Sequence, residues 1–145
     1  MIKEFKDFIT KGNVMDMAVG IHALYTTTPE MRTVCREFAQ ANDLLVHAHI
    51  SETKRETDEC IESTGKTPTE LFEAEGLLNE RFIGAHGVWL TKSDRQLLKQ
   101  RDAALVHCPS SNIKLASGNF DERNVRCDGI RFGLGTDGAC SNNRY

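Results

Sequence analysis

Leu44-Leu45-Val46-His47-Ala48-His49-Ile50-Ser51-Glu52 is an apolar run that ends in two imidazoles and a carboxylate. It reads as a buried strand emerging from a core. Side chains two apart on a strand point to the same face, so His47 and His49 project together. Glu52 lies beyond the strand, where a turn can swing it back. The stretch offers either a metal ligand with a proton-transfer partner beside it or merely a polar strand end.

Outward from this stretch the pattern recurs. Arg81-Phe82-Ile83-Gly84-Ala85-His86 and Ala103-Ala104-Leu105-Val106-His107 are further apolar runs closed by histidine, and Ile130 to Gly135 leads into Thr136-Asp137-Gly138. Helical segments separate them. Thr28-Pro29-Glu30 has the form of a helix start, with Thr as N-cap and Pro in the first turn. Met31, Val34, Cys35, Phe38 and Ala39 then fall on one face expected to be buried, and Asn42-Asp43 is the stop. Lys54 to Glu62 reads as a solvated helix ending near Gly65. Thr67-Pro68-Thr69-Glu70 opens another helix that runs to Gly76. Thr91 to Asp94 has the form of a capping box with Asp in the Glu position, leading through Leu97 and Leu98. Cys108 to Asn112 reads as a strand stop before a Ser/Gly/Asn loop and a weak segment around Val125.

Strand and helix in alternation imply parallel strands with crossover helices. The polar strand ends at His49, His86, His107 and Asp137 are 37, 21 and 30 residues apart, close to the ~30 residues of one unit of a β/α barrel. Parallel strands place their carboxyl ends on one rim, so four separate strands bring an imidazole or a carboxylate to one place.

The bulk properties narrow the class. The chain has 145 residues, which suggests one domain but falls well short of the ~250 residues of an eight-fold barrel. A net charge of −3, with no basic stripe, argues against a nucleic-acid module. No window of 18 apolar residues exists, so no membrane span is expected. The first residues alternate in charge and do not form the apolar core of a signal peptide. Cys35, Cys60, Cys108, Cys127 and Cys140 are odd in number and widely spaced, without a C-x-x-C pair. That indicates neither a zinc ribbon nor a disulfide framework, and it fits a reducing, cytoplasmic setting. A cytidine-type zinc deaminase is disfavoured because the P-C-x-x-C ligand motif is absent.

Five stretches together resemble the amidohydrolase superfamily, in its deaminase and chlorohydrolase branch, which includes the 5-methylthioadenosine/S-adenosylhomocysteine deaminases. They are His22-Ala23-Leu24-Tyr25-Thr26, His47 to Glu52, Gly84-Ala85-His86-Gly87, His107-Cys108-Pro109-Ser110-Ser111-Asn112 continuing to Gly118, and Gly133 to Gly138. They stand in the family's order and spacing. The resemblance implies an α/β fold, a partial (β/α)8 TIM barrel comprising about strands four to eight. It implies one divalent metal, Zn2+ or Fe2+, held by two histidines of a first-strand H-x-H, a fifth-strand histidine and an eighth-strand aspartate. His49 and Asp137 correspond to the last two ligands. Glu52 resembles the proton shuttle, and His86 the sixth-strand residue that polarises and positions the reacting group. Asp137 also resembles a proton acceptor, and His22 a fourth-strand residue that contacts substrate. The trailing Ile-Ser-Glu fits the fifth-strand motif, with His47 in support; a ligand pair of His47 and His49 is the other reading. The implied reaction is hydrolytic deamination of an aminopurine nucleoside or related ring amidine.

Residues 1–20 resemble the amino terminus of the large-conductance mechanosensitive channel family, an amphipathic helix leading into G-N-V-x-D-x-A-V-G. The expected organisation is therefore a channel-like leader over residues 1–20, with a short amphipathic helix, and a partial barrel over residues 21–145. His47 and His49 form the sole H-x-H, so the first-strand ligands are absent. The chain is expected to be a truncated piece, inactive alone, that pairs with another copy or with a complementing half-barrel. The alternative is a non-catalytic half-barrel with no competent metal site.

Overall fold

A computed structural model describes residues 18–141. The amphipathic helix expected over residues 1–10 lies outside them. Within them the chain alternates strand and helix. The strands are β1 (Ala18–Ile21), β2 (Leu45–Ile50), β3 (Phe82–His86), β4 (Ala104–His107) and β5 (Arg131–Leu134). The helices are α1 (Pro29–Ala41), α2 (Lys54–Thr64), α3 (Pro68–Ala74), α4 (Lys92–Gln100), α5 (Pro109–Lys114) and α6 (Glu122–Cys127), with a 3-10 turn at Leu24–Thr26. All four strand pairings are parallel and the strand order is sequential, β1 to β5. A doubly wound sheet would reverse direction at a switch point. A sequential order is that of a barrel wall, as expected. β1 starts at Ala18, so three residues of the expected leader belong to the sheet.

The helix boundaries follow local chemistry. Thr28 caps α1 by accepting from the Met31 amide, with Pro29 behind it. Thr67 and Glu70 form a full capping box on α3. Asp94 in the Glu position of the α4 box has a tertiary reason. It is fully buried, and while one oxygen accepts from Thr91 N, the other accepts from Thr67 Oγ1 at 2.5 Å, so it joins the caps of two helices.

The core lies between the sheet's outer face and the helices. Ile21, Val46, Ala48, Ile50, Phe82 and Leu105 point outward onto Ala39, Phe72, Leu98 and Val125. Gly84 is required there, because a Cβ would stand 2.6 Å from Ile50 Cγ2.

Three expectations need correction. Met31 and Val34 do not join the buried face of α1; they are 52% and 64% exposed. The buried residue of that turn is Arg32, whose guanidinium pairs with Glu75 at 2.6 and 2.7 Å. The helix over residues 54–64 is not wholly solvated: Glu56, Thr57 and Cys60 are buried. The strand stop read at Cys108 to Asn112 and the weak segment around Val125 are the short helices α5 and α6.

Candidate metal and catalytic site

The carboxyl rim gathers the residues singled out by the sequence. On β2 the outward residues Val46, Ala48 and Ile50 are buried, while His47 and His49 alternate onto the inner face, their ring centroids 6.1 Å apart. His22 follows β1, with its ring 4.8 Å from that of His49. Its Nδ1 lies 3.2 Å from Thr26 Oγ1.

His86 is placed by a break in the strand rule. It pairs with Ile50 in register, so simple alternation would send its side chain outward into the core. Its φ is +73°, a conformation non-glycine residues rarely adopt, and the ring turns toward the rim instead. It stands 4.8 Å from the His49 ring and is completely buried. Its Nδ1 lies 2.8 Å from Asn112 Oδ1. The Asn112 amide nitrogen lies 3.5 Å from His107 Nδ1, an orientation that leaves Oδ1 to accept from His86. His86 Nε2 is buried without a hydrogen-bond partner. In the neutral ring it carries the free lone pair.

Asp137 lies beyond β5 in a left-handed conformation of its own, φ +57°. Its Oδ2 accepts from Ser111 Oγ at 2.5 Å and from Ser141 Oγ at 3.0 Å. Burial pushes this carboxyl up, but the bonds from Ser111, the Gly138 backbone and Ser141, with His86 nearby, outweigh it and hold the group below the usual aspartate range. Burial, reinforced by the imidazoles of His86 and His22, lowers the pKa of His49 and favours its neutral form. Burial lowers His47 as well, with His86 adding to it.

Donor atoms of His49, His86 and Asp137 all lie within 4.8 Å of one another. Neutral imidazole and ionised carboxylate are the donors zinc takes, and hydroxyls that fix the carboxylate are the usual outer support. The orphaned, buried His86 Nε2 is an additional sign that the cluster suits a cation or a polar reactant. Glu52 stands beside it, with Oε2 3.8 Å from His86 Nε2 and Oε1 accepting from Ser117 Oγ at 3.2 Å. The backbone N–H of Glu52 donates to Glu56 Oε2 at 2.8 Å. Burial raises the Glu56 carboxyl above the ordinary glutamate value, and Glu52 adds to the rise while bonds from the Glu52 and Thr53 amides oppose it.

Of the residues named from sequence, His49, His86, Asp137 and Glu52 converge, and His22 and His47 flank them. His107 is outside the donor cluster: its ring stacks on Phe120 at 4.4 Å, and it reaches His86 only through Asn112. Ser111, Asn112, Ser117, Ser141 and Glu56 were not singled out as site residues. The signal for three of them is that they directly follow the end of β4, on the rim where the other strands deliver ligands.

A parallel β/α wall with metal-type donors on its carboxyl rim defines the class: a segment of a β/α barrel with a candidate metal site. The chain belongs to the amidohydrolase family, whose model matches residues 1–145. It is 41% identical over 143 residues to the 5-methylthioadenosine/S-adenosylhomocysteine deaminase of Pyrococcus furiosus, covering 97% of this chain and 34% of that protein. It is 39% identical over 132 residues to the 5'-deoxyadenosine deaminase of Methanospirillum hungatei, covering 90% of this chain and 29% of that protein. Among solved structures, an adenosine deaminase from Xanthomonas campestris with bound zinc superposes with a TM-score of 0.90 at 33% identity, over 97% of this chain and 32% of the other. The triazine-hydrolysing atrazine chlorohydrolase TrzN of Arthrobacter aurescens, at 21% identity and a TM-score of 0.87, shares the fold. The chain thus spans about a third of the length of the relatives it matches. The family match includes residues 1–20, and the comparisons lend the channel resemblance no support. Among the described residues no helix is long and apolar enough to cross a membrane.

Proposed function

We propose that this chain supplies the His49, Glu52, His86 and Asp137 portion of a metal-dependent site that hydrolytically deaminates an aminopurine nucleoside. The observation that carries the reading is the convergence of the His49, His86 and Asp137 donor atoms within 4.8 Å, with the Glu52 carboxylate against His86. The names of the relatives support an adenosine-type substrate, and the zinc in one structural neighbour supports a divalent metal, Zn2+ or Fe2+.

His49 and Asp137 are the residues that would hold the metal. A divalent metal there supplies Lewis-acid activation of water. Glu52 takes the first proton of the water and passes it to the ring nitrogen, and the second, from the hydroxyl of the tetrahedral carbon, passes through Asp137 to the amino group, which departs as ammonia. His86, fixed through Nδ1 by Asn112, presents the Nε2 lone pair to the attacking water and, once protonated there, stabilises charge as the tetrahedral carbon forms. Asp137 serves as a further proton acceptor, and His22, on the first loop of the rim, contacts the substrate. His47 supports His49 from the same face.

The residues of this chain provide one imidazole and one carboxylate ligand in this scheme and no second H-x-H. We therefore propose that the site is completed by further chain, from a longer polypeptide, a complementing half-barrel or a second copy of this one. β1 and β5 each pair on one side only among the described residues, which suits that completion. The five thiols are all free, in keeping with a cytoplasmic setting.

Zinc titration of the wild-type chain and of His49→Ala tests the reading. Clear saturable binding that the substitution abolishes supports it. Identical weak binding in both favours the alternative of a half-barrel with no competent metal site. Ammonia release from 5-methylthioadenosine or adenosine is expected to be very low for the chain alone.

A further inference from the structure

The Glu52 side chain is held by a residue from a distant part of the rim. We propose that Ser117 is a positioning residue that fixes the Glu52 carboxylate against His86. The proposal rests on the reading of Glu52 as the proton carrier and adds the device that orients it.

Ser117 follows α5, 65 residues after Glu52, and is 4% exposed. Each of its polar groups has a defined partner. Its N–H donates to Asn112 O at 2.9 Å. Its carbonyl accepts from Trp89 Nε1 at 2.7 Å, and its hydroxyl donates to Glu52 Oε1 at 3.2 Å. The backbone around it is constrained on both sides. Ala116 has φ +54° and Gly118 φ +129°, and a Cβ on Gly118 would approach Val88 Cγ1 to 2.8 Å and Trp89 Nε1 to 3.2 Å. Such left-handed residues persist only where their surroundings hold them. Here they bracket one serine and aim its hydroxyl at one carboxylate.

Trp89 is itself anchored, since its backbone N–H donates to Ser51 O at 2.9 Å, next to Glu52 in the chain. The result is a closed loop of contacts running Ser51, Trp89, Ser117, Glu52. With Oε1 fixed by Ser117, Oε2 is left facing His86 Nε2 at 3.8 Å. Glu56 holds the backbone of the same residue, but Ser117 alone among the described residues donates a side-chain hydrogen bond to the Glu52 carboxylate. The two residues that brace the His86–Glu52 pair, Asn112 and Ser117, thus come from one turn of chain after β4.

A rotamer measurement on the full chain decides the matter. Three-bond couplings and carboxyl-carbon line shapes of labelled Glu52 are compared in wild type, Ser117→Ala, Ser117→Cys and Ser117→Thr, with and without zinc. Wild type and Ser117→Thr, which keeps the hydroxyl, are expected to show one Glu52 rotamer. Ser117→Ala is expected to lose the single-rotamer couplings toward averaged values. Ser117→Cys, with its weak donor and similar volume, gives the same reading if the alanine variant does not fold. Single-rotamer couplings in the folded alanine or cysteine variant, equal to wild type, overturn the proposal. Failure of wild type to bind zinc counts against the hydrolase reading and leaves the Ser117 result to stand or fall on the couplings.

Discussion

The two faces of this sheet are built from the same five strands under opposite rules. The outer face is apolar and conformationally ordinary. Phe82 and Phe72 meet at 5.5 Å between centroids, and Ile50, Leu98 and Leu105 close around them. The inner face and its carboxyl rim carry imidazoles and carboxylates. There Ser51, His86 and Asp137 adopt positive φ, and Ser51 Oγ and His86 Nε2 are buried without partners. Positive φ also occurs at Asp43 and Asp102, ahead of β2 and β4, and Thr69 Oγ1 in α3 is buried without a partner. The strained residues that carry the clustered donor atoms, His86 and Asp137, lie on the carboxyl rim, and the well-packed opposite face supplies the stability to hold them. Fold and candidate chemistry thus sit on opposite faces of one sheet, and a substitution on one face is expected to spare the other.

Four substitutions test that division. Phe82→Ala removes a fully buried ring and should cost about 3–5 kcal/mol, read from urea unfolding. Metal binding should survive in the folded variant; its loss there would show that the faces are not separate. His49→Ala should lower zinc affinity by at least ~100-fold, more than loss of an outer-shell partner, with little change in the unfolding midpoint. A midpoint falling as far as that of Phe82→Ala would show that the histidine is a core residue.

Glu56 lies between the two regimes, buried under the rim. Its folded pKa is raised, so the stability it contributes is complete below the unfolded glutamate pKa and is lost as pH rises through the raised folded value. Glu56→Gln cannot ionise and should flatten that decline, measured as the urea midpoint between pH 4 and pH 8. An unchanged pH slope would mean that Glu56 does not carry the effect. The smallest expected change is Lys54→Ala. It breaks an exposed pair with Asp58 on α2 and should cost no more than ~0.5 kcal/mol; a larger loss would mean that the solvent side of α2 contributes more than surface charge.

The periodic features of the fold were legible in the residues. Apolar runs closed by His49, His86 and His107 marked three strands, and Thr28-Pro29, Thr67-Pro68 and Thr91-x-x-Asp94 marked helix starts, because both signals are local. The exposure of Met31 and Val34 was not legible. A helical stripe says which residues share a face, and only the position of neighbouring elements says whether that face is covered. The buried Arg32 was equally hidden, since its partner Glu75 lies 43 positions away. α5 escaped notice because Pro109-Ser110-Ser111-Asn112 has turn composition and a length below that at which helical periodicity can be read.

For the site, the residues alone pointed to His49, His86 and Asp137 arriving on one rim, because parallel strands of regular spacing must deliver their ends together; the roles given to them rest on the family resemblance. Tertiary structure alone decided where those donors point. By register His86 belongs to the core face; a left-handed φ, the Asn112 bond and the ties from β2 to the following loop turn it to the rim. Ser111, Ser117 and Ser141 become supports for Asp137 and Glu52 only because the fold brings distant loops within hydrogen-bond reach. Side-chain direction at a strand end depends on contacts from other segments, and no local pattern in the chain records them.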